Sequence, residues 1–320
     1  MKAIHITFFL LGFMAHAAES LAQHPAVSVT DGDTAIVVSK EVARKILEEY
    51  KKTDEVKHDL VPDYSRKWMV TDRPHIAESP VLAAKGSLQW ETGFLLAQTN
   101  TLLIHTRDIT YNTMLVRLGL SRRIEGRVEM SYLGTKTSKT TYDSLKVHAT
   151  GFSGLTLASK VFLVDEKGFR PNVSLLYGVS LPYIGSKTHR PENTGGFIKF
   201  LFLNAITHKY EIEYNLGMVW GGDSKTSYAY AFNNEFMITQ KFNAFLEIYG
   251  FFIENNGMDS HFDGSFIHDH RLNGGFWYLF TKDLQLDLSG GFGLSAVSPD
   301  YYFGIGLSNR FSVSKKNTRG

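Results

Sequence analysis

From Ser87 onward, apolar and polar residues alternate with a period of two, the pattern of strands with one oily face and one wet face. In LQLDLSGGFGL, Leu284, Leu286, Leu288, Phe292 and Leu294 share one face, while Gln285, Asp287, Ser289, Gly291 and Gly293 share the other. YEIEYNLGMVW repeats the scheme, with Tyr210, Ile212, Tyr214, Leu216, Met218 and Trp220 set against Glu211, Glu213, Asn215 and Gly217. Ile124 to Leu133 does so again, placing Val128, Met130 and Tyr132 opposite Glu125, Arg127 and Glu129. The pattern predicts strands over 87–96, 110–120, 124–133, 147–164, 172–181, 197–204, 210–220, 228–239, 243–253, 270–280, 284–294 and 301–311. Most are near the roughly 9 to 11 residues that cross a bilayer when tilted. The fourth is longer, and the sixth alternates poorly.

Two architectures fit such a pattern, a large soluble β protein and a membrane barrel, and the connections separate them. Connections after even-numbered strands are tight and polar, as at Ser121, Asp165, Thr207, Gln240 and Thr281. Most of those after odd-numbered strands are long: 97–109, 134–146, 182–196 and 254–269. Short turns on one rim and long loops on the other are the layout of an outer-membrane barrel with both chain ends on the periplasmic side. Tyr210 with Trp220, and Tyr301 with Phe311, would supply interfacial aromatics. Inward Gly291, Gly293, Gly304 and Gly306 would relieve crowding where the closing sheet bends.

The expected fold is therefore all-β, a transmembrane antiparallel up-and-down β-barrel of about 12 strands with a short helical N-terminal periplasmic arm. The start, MKAIHITFFLLGFMAHAAESLAQ, has a basic residue, a short apolar core and small residues, which reads as a signal peptide. Cleavage after Ala17 or Ala22 fits, and the second removes Glu19 with the signal. In SKEVARKILEEYKK, Val42, Ile46, Leu47 and Tyr50 fall at helical spacing behind a Ser39 cap. The expected division is signal peptide 1–22, arm 23–70, lead-in segment 71–86, barrel 87–311 and periplasmic tail 312–320, in the outer membrane of a Gram-negative bacterium.

The chain has no Cys, which removes disulfides, thiolate metal sites and lipidated cysteine from consideration. A net charge of +2, from 34 basic and 32 acidic residues, argues against a nucleic-acid partner. No cofactor motif stands out and none is expected. The lipase pattern H-x-S-N-G is absent, and His105 and His148 stand alone as candidate bases. His261, Asp263, His268, Asp269 and His270 form a loop cluster that would suit a divalent cation only loosely, so no metal site is assigned.

Asp72-Arg73-Pro74-His75-Ile76-Ala77-Glu78-Ser79-Pro80, followed by KGSLQWETGF, resembles the DRP-x-x-TESP and pKGhlQvEsGf lead-in of the outer-membrane transporter family catalogued under the meta-pathway of phenol degradation. The matching positions are Asp72, Arg73, Pro74, Glu78, Ser79, Pro80, Gly86, Gln89 and Glu91, and PDYYFGIGLSNRF resembles the family's last strand. Ala77 stands in place of the usual Thr and His75 in place of the usual Asp. The resemblance implies an aromatic solute.

Pro74 and Pro80 keep the chain out of helix and ladder. Asp72, Arg73, Pro74, Glu78, Ser79 and Pro80 are thus expected to form a structural tether or a periplasmic gate. The expected lumen-facing charges are Glu91, Arg117, Glu125, Arg127, Glu129, Glu211, Glu213, Glu235, Glu247, Arg271, Asp287 and Arg310. Mixed signs suggest cross-strand ion pairs and a polar path through a narrow or partly plugged lumen. The functional expectation is a non-enzymatic barrel passing a small, hydrophobic or aromatic solute, with membrane lipid and the barrel-assembly machinery as partners. The alternatives are a closed barrel recruiting a partner through its loops or arm, and, third, a surface hydrolase.

Overall fold

The structure, a computed structural model, describes residues 28–31, 34–37, 68–100, 104–139, 146–222, 225–255 and 265–312. The chain divides into two compact units, Met1–Pro62 and Asp63–Gly320. In the first, β1 (Ser28–Asp31) and β2 (Thr34–Val37) form an antiparallel hairpin. The helix expected over Ser39 to Lys52 lies outside the described residues.

The second unit contains β3 (Ser87–Asn100), β4 (Ile104–Gly119), β5 (Ile124–Lys139), β6 (Lys146–Phe152), β7 (Leu155–Val164), β8 (Asn172–Leu181) and β9 (Gly195–Thr207). It continues with β10 (Tyr210–Gly221), β11 (Ser227–Met237), β12 (Phe242–Glu254), β13 (Phe266–Thr281), β14 (Leu284–Gly293) and β15 (Tyr301–Ser312). All pairings are antiparallel, and β15 pairs back on β3 from Tyr301↔Gln98 to Ser312↔Ser87, so the sheet closes. Closure leaves no open edge, which hydrocarbon would penalise at each unpaired backbone group. The thirteen segments occupy twelve positions, because β6 and β7 lie end to end along β5.

That break corrects the single strand expected over Val147 to Val164. At Ser153 and Gly154 the loop after β8 takes over the hydrogen bonding: Ser186 N donates to Phe152 O, and Leu155 N donates to Ile184 O. The long loops expected over 97–109 and 134–146 are also largely ladder. Leu96↔Ile109 through Asn100↔His105 extend β3 and β4 beyond the spanning length, and Thr137↔Val147 belongs to the β5–β6 pair. Cross-strand pairing there outweighs the polar composition that suggested loops.

The poor alternation of β9 has a physical reason. Its inward residues Leu201, Leu203 and Ala205 are buried, as is Leu176 beside them on β8, so both faces of β9 are apolar. Elsewhere the barrel is inside out relative to a soluble protein. Buried side chains include Arg117, Lys160, Gln89, Glu125, Asn233 and Glu247, while Leu216, Phe232, Leu246, Phe276 and Phe303 are exposed. Charge on the inside and oil on the outside is what a lipid solvent selects. Aromatics gather toward both rims of that outer face. Tyr210 stacks on Phe236 at 5.2 Å near the tight turns, and Tyr228 meets Phe266 at 6.0 Å near the loops.

Candidate functional site

The lumen is occupied by the chain's own lead-in. Residues 68–86 form no helix and no strand, so their backbone groups need partners from the wall, and the wall's charged side chains supply them. The segment begins at the tight-turn rim, where Met69 N donates to Lys282 O at 2.9 Å. Arg310 reaches the same point, with Nη1 3.5 Å from Trp68 O.

On the β3–β7 side, Arg117 is wholly buried and all its visible donors are used. It pairs with Glu125 through Nε and Nη2, both at 2.9 Å, and with Glu91 through Nη1 at 3.1 Å. The same guanidinium also donates to Val70 O at 3.1 Å and Val81 O at 2.9 Å, clasping the segment at two points. Asp72 sits among cations, 2.8 Å from Arg127 Nη2 and 3.1 Å from Lys160 Nζ. Its N–H donates to Glu91 at 3.1 Å. Burial by itself would raise the Asp72 carboxyl, but Arg117, Lys160 and Arg127 hold it far below the ordinary carboxylate range. Glu78 is bridged between Arg127 Nη1 and Lys199 Nζ, each at 2.7 Å, and these cations likewise outweigh burial and hold its carboxyl low.

Arg73 turns the other way and makes a forked contact with Asp287, Nη2 to Oδ1 at 3.0 Å and Nε to Oδ2 at 3.3 Å. It lies so close to β3 and β15 that a Cβ at either Gly93 or Gly306 would strike its guanidinium. Those two glycines make its seat. Pro74 is buried and follows a cis peptide bond, and Pro80 O accepts from Ser174 Oγ at 2.6 Å. Ser79 is buried, and its carbonyl accepts from Lys160 Nζ at 2.7 Å.

On the β10–β13 side the segment meets acids. Ile76 N donates to Glu247 at 3.0 Å, Ala77 N donates to the same carboxylate, and Asn273 Nδ2 donates to it at 3.0 Å. Glu78 N donates to Asn215 Oδ1 at 2.6 Å. His75 is buried with Nε2 2.9 Å from Glu235 Oε1 and Nδ1 3.9 Å from Glu213 Oε2, while Nδ1 also meets Ala77 O. Burial opposes a charge on this imidazole, yet Glu235, then Glu213 and Glu247, raise its proton affinity well above the ordinary histidine range.

The structure thus brings Glu91, Arg117, Glu125, Arg127, Glu213, Glu235, Glu247, Asp287 and Arg310 into contact with the lead-in segment. Glu129 reaches it through Arg127, at 3.5 Å. Glu211 is buried, and its Oε1 has no hydrogen-bond partner. Arg271 stands apart toward the loop rim, paired with Asp269 at 2.6 Å and lying over the Tyr249 ring. Lys160, Lys199 and Asn273 were missing from the sequence-based set, whereas alternation had already placed Asn215 on the inward face without a role. The alternation of LTLASKVFLV places Lys160 on one face with Thr156 and Ala158, so that residue was recoverable from the pattern.

The other candidate chemistry does not assemble. His105 is exposed, with Nδ1 2.7 Å from Asn100 Oδ1, and His148 is exposed. In the loop cluster, Asp269 is taken by Arg271 and by Ser298 Oγ at 2.6 Å, and His270 Nδ1 lies 3.0 Å from Tyr230 OH. His261 and Asp263 lie outside the described residues.

The family described as "Putative MetA-pathway of phenol degradation" matches residues 71–311, from the lead-in segment to the last strand. The chain belongs to this family. Among solved structures, an outer-membrane channel from Pseudomonas putida F1 is similar at 12% identity and a TM-score of 0.54, covering 71% of this chain and 96% of that one. The KdgM porin follows at 8% identity and a TM-score of 0.43, covering 70% and 99%. The CymD monoaromatic hydrocarbon channel has 8% identity and a TM-score of 0.41, covering 71% and 89%. Of these three, the first supports the fold. No curated protein matches the chain. The protein is built as an outer-membrane β-barrel.

Proposed function

We propose that this barrel is a non-enzymatic channel for selective, passive passage of a small hydrophobic or aromatic solute, with the long-loop rim facing outward. The observation that carries this reading is a cavity of about 520 Å³ at the loop rim. Its side chains include Phe197, Val219 and Pro191 together with the polar Ser180, Thr188, His189 and Arg190. Phe197 and Val219 are register partners on the face that also holds Lys199, Leu201 and Glu213. Ligand pockets run from roughly 300 to 1,000 Å³, and a wall that mixes apolar and polar side chains suits a ring bearing a polar substituent. The family's description, which names phenol degradation, points to the same class of solute.

Below the cavity the wall charges grip the lead-in segment, so these residues act as a latch as well as a polar path. Passage then requires the segment to shift. In proteoliposomes, entry of substituted phenols or benzoates should exceed that of sugars of similar mass, and Phe197→Ala, on the inward face of β9, should reduce the difference. Equal flux of both classes would sink the proposal.

The filled lumen also favours a second reading, a closed barrel that recruits a partner through its loops or N-terminal arm. On that reading proteoliposomes show no flux for any solute, and planar bilayers carry no current.

A further inference from the structure

The acid-rich wall facing His75 carries more carboxyl groups than basic side chains to pair them. Glu211 and Glu235 are direct cross-strand partners on β10 and β11, and Glu213 is the next inward residue along β10. Among the described residues, no Lys or Arg pairs with Glu211, Glu213 or Glu235, whereas the acids around Asp72 are threaded with Arg117, Arg127 and Lys160. Glu247 differs again, because backbone N–H groups and Asn273 satisfy it.

We propose that His75, Glu213 and Glu235 bind a divalent cation of the zinc type, which fastens the lead-in segment to β10 and β11. Each can offer a ligand atom within 4.8 Å of the others, and all three are buried. Two further features point to a ligand. Glu213 Oε2 has no hydrogen-bond partner although the residue is 2% exposed, and it lies beside the imidazole, 3.9 Å from Nδ1. The Ala77 carbonyl faces His75 Nδ1, the orienting contact that leaves Nε2 as the metal ligand on the side of Glu235. One imidazole nitrogen with two carboxylates is a donor set that suits zinc and its neighbours.

Since His75 belongs to the plug and the two acids belong to the wall, the cation joins parts of the chain far apart in sequence.

The full chain, unfolded in chelator and refolded in detergent in metal-free buffer, is incubated with zinc chloride, freed of excess and assayed by mass spectrometry. The wild type should retain about one equivalent. Glu213→Gln and His75→Gln should each retain less than about a fifth of that, while Glu129→Gln, half-exposed on β5, should match the wild type. Folding of every variant is checked by its heat-dependent gel mobility. A wild type that retains no zinc, or variants that retain as much as it does, would overturn the proposal. If a variant does not fold, cobalt replaces zinc in the wild type. A visible band of low-coordinate cobalt supports the site, and a spectrum unchanged from the aqueous ion rejects it.

Discussion

Two walls of one lumen hold the same segment by different means. On the β3–β7 side every principal acid of the cluster has a cationic partner: Arg117 joins Glu91 to Glu125, Arg127 joins Asp72 to Glu78, and Lys160 closes on Asp72. On the β10–β13 side the segment donates backbone N–H groups to Glu247, and a single histidine faces Glu213 and Glu235. A buried charge that loses its partner is costly, while a buried charge in excess can be removed with little loss or some gain. The first wall should therefore tolerate no neutralisation of its cations, and the second should tolerate neutralisation of Glu211 or Glu213.

The largest expected effect comes from breaking the paired wall. Arg127→Leu takes one cationic partner from each of Asp72 and Glu78, leaving Lys160 with the first and Lys199 with the second, and should cost about 3 kcal/mol, read as a lower urea midpoint in detergent. On the lipid side, Leu288→Arg should cost about 2 to 4 kcal/mol if it lies near the midplane, which separates outer-face damage from lumen damage at the adjacent Asp287. Crowding the seat of Arg73 is milder. Gly306→Ala should cost about 1 to 3 kcal/mol and loosen the segment, read as faster labelling of a cysteine placed within it. Glu213→Gln in metal-free protein should stay within about 1 kcal/mol of the wild type, and a loss as large as that of Arg127→Leu would erase the distinction between the walls.

Acid has the smallest effect over ordinary pH. The Asp72 carboxyl is depressed when the segment is seated, so its contribution is fully present above the free value near pH 4 and is lost as pH falls further. The Asp72 contribution to protection of the segment should be constant above about pH 5 and decline below about pH 4, while the raised proton affinity of the seated His75 adds protection that is full below about pH 6.5 and fades as pH rises further. A loss of protection on acidification already at neutral pH would show that Asp72 does not hold the latch.

How much of this was legible depended on range. Alternation placed most strands close to their final bounds, because lipid outside and charge inside act on every residue pair, as in Leu286 and Asp287. It faltered at β9, where Leu201 and Leu203 make the inner face apolar too, and at Ser153, where a loop from beyond β8 interrupts the ladder. The inward charges were visible in the pattern, but their purpose was not. Glu247 and Ala77 are 170 residues apart, and nothing local to either announces that one receives the other's N–H. Lys160 and Lys199 were readable by counting along their strands, yet they sit among apolar neighbours that mask the period. His75 departs from the family's usual residue, and only the fold sets it against carboxylates.

The central claim is that wall charges seat residues 71–86 inside the lumen. Because the chain lacks cysteine, one introduced thiol reports on this directly. Ser79→Cys, buried against Lys160, and Lys187→Cys, exposed on the loop after β8, are treated separately with a water-soluble maleimide in detergent-folded protein. If the segment is latched, Ser79→Cys reacts at least about 100-fold more slowly than Lys187→Cys, and Arg127→Leu removes most of that protection. Equal labelling rates at the two positions in the otherwise unaltered barrel would contradict the claim.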